Sequence, residues 1–197
     1  MDKLDLLYDH YKETLTTLYA KIKQRDRIFI ITGILLLIHL LLAVNSNEYG
    51  GFIIKIINEK FSLDISNYIM VIHTFLWIAI IYTTLRYSQS CVAIERSYQY
   101  ISILELRIAN IAQTNFDRES GNYLKNYPSI SKITNFIYKY LFAIFAIIIA
   151  SIKILMEIIN EYTLKSTRSY LILIDIALYI LYSIIWISHV DFMRKND

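Results

Sequence analysis

The sequence predicts an all-α membrane protein, with four transmembrane helices in two antiparallel hairpins and the first hairpin extended into a cytoplasmic helical stalk. Three observations lead there. Hydrophobic residues make up 56% of the 197-residue chain and charged ones 19%, a balance outside the soluble-globular norm, and mean hydropathy is +0.42. One proline and four glycines leave little punctuation for sheets or tight turns, which favours long helices over a membrane barrel. Apolar runs of bilayer-crossing length recur at four places.

Residues 1–27 read as a cytoplasmic amphipathic helix, because Leu4, Leu7, Tyr11, Leu15, Leu18 and Ile22 repeat at alternating spacings of three and four. The first span, 28–44, is uncharged and would be about 25 Å long as a helix, with Arg27 able to snorkel at its end. A charged stretch precedes it and no small-residue cleavage site follows, so it reads as an anchor that stays in the mature chain. Residues 45–67 form an external loop in which Gly50 and Gly51 precede Phe52, Ile53, Ile56, Ile57 and Phe61, the pattern of a short helix lying on the outer surface.

The second span, 68–85, is uncharged and bounded by Arg86; it runs on into a cytoplasmic helix, 86–113, with Cys91, Ile94, Tyr98, Ile101 and Ile108 on one seam and Glu105 interrupting it. Residues 114–131, with Gly121 and the single Pro128, are a cytoplasmic loop. The third span with its cytoplasmic lead-in, 132–159, is apolar from Tyr140 onward apart from Lys153 and Glu157. A short polar external loop, 160–169, leads to the fourth span, 170–190, apolar apart from Asp175, and to a cytoplasmic tail, 191–197. Fifteen of the twenty Lys and Arg residues fall before the first span, between the second and third, or after the fourth. The positive-inside rule therefore sets both termini and the middle loop in the cytoplasm of a multi-pass membrane protein.

In an antiparallel pair the numbers of facing residues have a constant sum, so the boundary match of Arg27 with Arg86 fixes a register. That register pairs Ile22 with Cys91, Leu18 with Ile94, Leu15 with Tyr98, Tyr11 with Ile101 and Leu4 with Ile108, and inside the span His39 with His73. In the second hairpin Ala143, Ala146, Ala150 and Lys153 meet Trp186, Tyr182, Tyr179 and Asp175, small residues receiving aromatic ones.

Lys153 and Asp175 each cost roughly 2.5–3.5 kcal/mol near a bilayer centre, and His39 and His73 lie at a similar depth. These four read either as a structural polar layer that fixes register or as a hydrated constriction in an ion path. Four spans from a 23.3 kDa chain rarely enclose a path alone, so the second reading asks for a homo-oligomer around an axis. Off the stalk seam, Glu95, Arg96, Tyr100 and Arg107 read as a solvated face or as surfaces for self-association and a regulator. Arg118, Tyr123, Lys125 and Tyr127 surround Pro128 and suit a regulator or an anionic ligand, although basic residues there also serve topology.

No phosphate loop, His-x-x-x-His metal pair or activated nucleophile is recognisable, so neither catalysis nor a metal or cofactor is expected. The single Cys91 rules out an internal disulfide framework, and the net charge of +3 is too small to imply nucleic acid. The expected function is a homo-oligomeric ion channel gated from its cytoplasmic helices, with membrane lipid as its surroundings. The alternatives are a membrane scaffold recruiting a soluble enzyme and a small proton-coupled transporter using Asp175, His39 and His73.

The plan of a cytoplasmic helix, four spans and a helical middle region, with Glu95-Arg96-Ser97-Tyr98-Gln99-Tyr100-Ile101 after the second span, resembles small membrane effectors of bacterial anti-phage defence. Hailong channel effectors are the nearer likeness and Kiwa membrane subunits the second. The resemblance implies a tetrameric channel held closed by a cytoplasmic nucleotidyltransferase partner and its oligonucleotide signal, opening in infection to depolarise the host. It transfers no functional residue to a numbered position.

Overall fold

The computed structural model describes residues 3–44, 69–116, 129–164 and 169–196, together with Glu59. Among the described residues the chain is all-helical, with no strand. Helix α1 spans Lys3–Val44 and α2 spans Ile69–Ala112; α3 (Ser129–Phe136), a π-helical turn (Ile137–Leu141) and α4 (Phe142–Leu164) follow one another directly; α5 spans Ser169–Asn196. With no proline inside α1 or α2, nothing interrupts the hydrogen-bond ladder where charged and apolar halves meet. Helix α2 ends where Gln113 takes a left-handed φ of 53° and the Thr114 N–H reaches back to the Ala109 carbonyl at 3.3 Å, a Schellman-type closure.

Several helices outrun their expected limits: α4 continues to Leu164, α5 continues to Asn196, and α3 begins at Ser129. Each extension lacks a proline or glycine to stop it. In its last turn α5 sets Arg194 and Lys195 on Asp191, at 2.9 and 2.6 Å, basic groups that also suit the negative end of the helix dipole.

Helices α1 and α2 pack as an antiparallel hairpin whose charged halves share a core of Tyr11, Leu18, Ile94, Ile101, Leu104 and Ile108, with Leu4, Leu7, Leu15, Ile22 and Tyr98 packed against it. This is the seam read from the sequence. Glu105, which interrupts it, is buried and accepts a hydrogen bond from the Tyr11 hydroxyl at 3.0 Å. Cys91 belongs to the core of the other half, which Tyr87, Cys91 and Met193 extend past Leu85, and it lines one cavity together with Ile22.

That other core is a four-helix bundle in which α1 lies against α2 and α4, and α5 lies against α2 and α4. Facing pairs give the directions. Thr74 with Asp175, Trp77 with Tyr179 and Tyr87 with His189 advance together, so α2 and α5 are parallel. Arg25 with Tyr138 and Phe29 with Phe142 make α1 and α4 parallel, whereas Lys153 with Asp175 and Phe142 with Trp186 make α4 and α5 antiparallel. Two stretches, Lys132–Met156 and Tyr170–Lys195, are long and apolar enough to cross a membrane, with mean hydropathies of 2.1 and 2.2. The expectation of four spans goes further than this measure; of the two uncharged runs, residues 28–44 lie in the longer α1 and residues 69–85 in the longer α2.

Candidate functional site: a buried polar layer

The inward stripe of α2 carries His73, Thr74 and Trp77; α1 contributes His39, α4 Lys153 and α5 Asp175. Lys153 Nζ lies 3.0 Å from Asp175 Oδ2, and the Thr74 hydroxyl donates to Asp175 Oδ1 at 2.9 Å, so both carboxylate oxygens are engaged. The same ammonium stands 5.3 Å from the centre of the Trp77 ring, a cation–π contact in a dry setting. His39 stacks obliquely on His73 with ring centres 5.2 Å apart and meets Trp77 edge-on at 4.9 Å. All four sequence-predicted layer residues therefore converge, Lys153 being 1% exposed and Asp175 2%.

Thr74 and Trp77 complete the layer without having been singled out in the sequence. Their signal was helical spacing alone, since Trp77 sits one turn beyond His73 on the same face. A buried ion pair of this kind gains little over apolar packing, but losing one partner leaves the other charge stranded.

The layer points into the interior of one bundle. The α4–α5 seam has its expected character, with Ala143, Ala146, Ala150, Tyr182 and Trp186 all buried. Within it, Tyr179 pairs its hydroxyl with Ser151 Oγ at 2.7 Å, and Trp186 meets the ring of Phe142 at 5.5 Å.

Toward the other end of the bundle lie more buried polar groups: Thr84 and Ser88 on α2, and Tyr182, Trp186 and His189 on α5. Below them the π-helical turn reshapes the junction with the stalk. Its backbone bonds skip one residue further than in an α-helix, with the Phe142 N–H on the Ile137 carbonyl, and the Tyr138 carbonyl accepts the Tyr87 hydroxyl at 2.6 Å. Lys139, in the same turn, is buried and lies 3.0 Å from Glu95. Arg25 binds Asp26 at 2.8 Å and lays its guanidinium 4.0 Å from the centre of the Tyr138 ring. A cavity of about 190 Å³ opens here between Arg25, Cys91, Glu95, Tyr98, Tyr138 and Lys139. Burial pushes the Cys91 thiol up to about 12, so it stays neutral at ordinary pH.

Of the residues expected on the outer stalk face, Glu95 is half-buried and held by Lys139, whereas Tyr100, hydrogen-bonded to His10 at 2.8 Å, Arg96 and Arg107 are exposed. Arg118, Tyr123, Lys125 and Tyr127 lie outside the described residues, as does the expected external helix from Phe52 to Phe61 except for Glu59. Comparison of the chain with protein-family models, with curated proteins and with solved structures yields no match.

Proposed function

We propose that this is a four-span ion-conducting protein of a bacterial inner membrane, with both termini cytoplasmic and its conduction controlled through the cytoplasmic stalk. The observation that carries the reading is the ionisable layer of His39, His73, Lys153 and Asp175 held inside the bundle, since intramembrane charges are costly and mark ion paths. Lipid as the surrounding medium is supported by the outer faces of all four long helices. Ile34 and Leu37 on α1, Phe75 and Ile78 on α2, Phe145 and Leu155 on α4, and Leu173 and Ile187 on α5 are all exposed, far more apolar surface than a soluble bundle presents to water.

Self-association finds support lower down, in the charged half of α2. There Ile103 and Leu106 are 48% and 62% exposed, and Gln99 and Asn110 extend the same outward stripe by one turn at either end, at spacings of four, three and four. A second copy of the stalk would cover the two apolar residues and leave the polar ones to fix register. Oligomerisation then serves assembly and gating, while the conducting path belongs to each protomer. In the reading drawn from defence effectors, a nucleotidyltransferase partner with its oligonucleotide signal would hold the stalks closed, and its release would depolarise the host.

Reconstitution into liposomes with an imposed membrane potential tests the reading. The purified protein should dissipate the potential, and removal of any co-purifying partner should raise the rate. A preparation that leaves the potential intact in both states would refute conduction and favour a scaffold.

A further inference from the structure

We propose that the permeant species is the proton, passed through the interior of each protomer along a file of side chains. The file leads from the Lys153–Asp175 and His39–His73 layer, past Tyr182 and Thr84, to Ser88 and His189, and out at the Glu95–Lys139 pair. The inference rests on the ion-conducting reading above and names its substrate.

The path follows from the spacing of one helix face. His73, Thr84, Ser88 and Glu95 lie along the inward side of α2, and at 1.5 Å per residue the distance from His73 to Glu95 is about 33 Å, a run from inside the second span, past its boundary at Arg86 and into the stalk. Parallel to it, α5 supplies Asp175, Tyr182 and His189 at matching heights. Trp77 and Trp186 pack between the relay groups, with His39 to Trp77 at 4.9 Å, Trp77 to Tyr182 at 5.7 Å, Tyr182 to Trp186 at 6.2 Å and Trp186 to His189 at 5.4 Å between ring centres.

The polar atoms along this file are buried and, among the described residues, make no hydrogen bond of good geometry: His39 Nε2, His73 Nδ1, Thr84 Oγ1, Ser88 Oγ, the Tyr182 hydroxyl and both ring nitrogens of His189. Buried polar groups are satisfied in nearly all native cores. So many in one row, most of them hydroxyls and imidazoles that both accept and donate, describe a line of proton carriers rather than a packing fault.

Size selects the proton. Large rings fill the interior, so a hydrated metal cation meets a steric barrier. A proton needs no lumen. Imidazole takes a proton on one ring nitrogen and releases the one carried by the other, and hydroxyls both accept and donate. Each hop moves one proton and returns its carrier to the charge it started with, with no oxidant or reductant involved; the electrochemical gradient of the membrane drives the net transfer. The indoles of Trp77 and Trp186 only donate, so they orient the wire without relaying.

The test uses the full-length protein in potassium-loaded liposomes carrying an internal pH dye, diluted into low-potassium buffer. With valinomycin the interior should acidify as protons enter against potassium efflux, whereas without it potassium should stay inside even when a protonophore is present. Tyr182→Phe and Thr84→Val should each slow acidification by about tenfold at unchanged thermal stability, because each removes a hydroxyl that carries the proton. His189→Phe gives a third variant should one of these fail to fold. Potassium release without acidification would overturn the proton inference and leave ion conduction standing. Neither flux would overturn both, and wild-type acidification in the folded variants would put the path elsewhere.

Discussion

Lys153 and Asp175 are each costly alone and tolerable together. Lys153→Met leaves a buried carboxylate without its cation and should destabilise the protein by about 3–5 kcal/mol, whereas Lys153→Met with Asp175→Leu should recover most of that loss. Thermal melting of the detergent-solubilised variants checks it, and additive losses without rescue would mean the pair does not couple. Cys91 gives a pH dependence of known sign. Its folded value of about 12 lies above the ordinary 9.0, so its contribution is intact below about pH 9 and is lost as pH rises toward 12. Melting temperature should fall over that window, less steeply in Cys91→Ala. At this scale the sequence was readable where a residue contradicts its surroundings. A lysine and an aspartate in apolar runs stand out, and a shared register brings two histidines together. Thr74 and Trp77 do not stand out, because nothing about either residue in an apolar helix marks it as a partner until the neighbouring helix is in view.

Among the elements, the stalk was legible and the junction was not. Alternation of three and four along α1 and α2 specifies a coiled seam whatever surrounds it, so the buried positions of Leu18 and Ile101 follow from spacing. Leu18→Ala should therefore cost about 2–5 kcal/mol, while Leu6→Ala on the outer face should stay within about 0.5 kcal/mol, as denaturant titration followed by circular dichroism would show. The π-helical turn at Ile137–Leu141 has no such pattern. It exists because Tyr87 takes a carbonyl and Glu95 takes Lys139, contacts made by a different helix and invisible in the local sequence. For the same reason Glu95 looked like a free surface group.

For the whole molecule, hairpin formation was readable but hairpin docking was not. Short polar connections and complementary seams set α4 antiparallel to α5, whereas the parallel contacts of α2 with α5 and of α1 with α4 arise from tertiary fit. Topology makes its own prediction: with native Cys91 buried and unreactive, an impermeant thiol reagent applied outside should label cysteines introduced at Asn47 and Thr167 but not at Asn122. The reverse pattern would invert the orientation. The central claim is that the buried layer conducts rather than merely fastens two hairpins. Its most direct test is the conductance of Lys153→Met with Asp175→Leu in liposomes, once matched elution and melting show that this variant assembles. The account predicts a normally assembled protein with altered flux, because the field and carriers along the path have changed. Wild-type flux from that variant would show that the layer serves structure alone and would contradict the account.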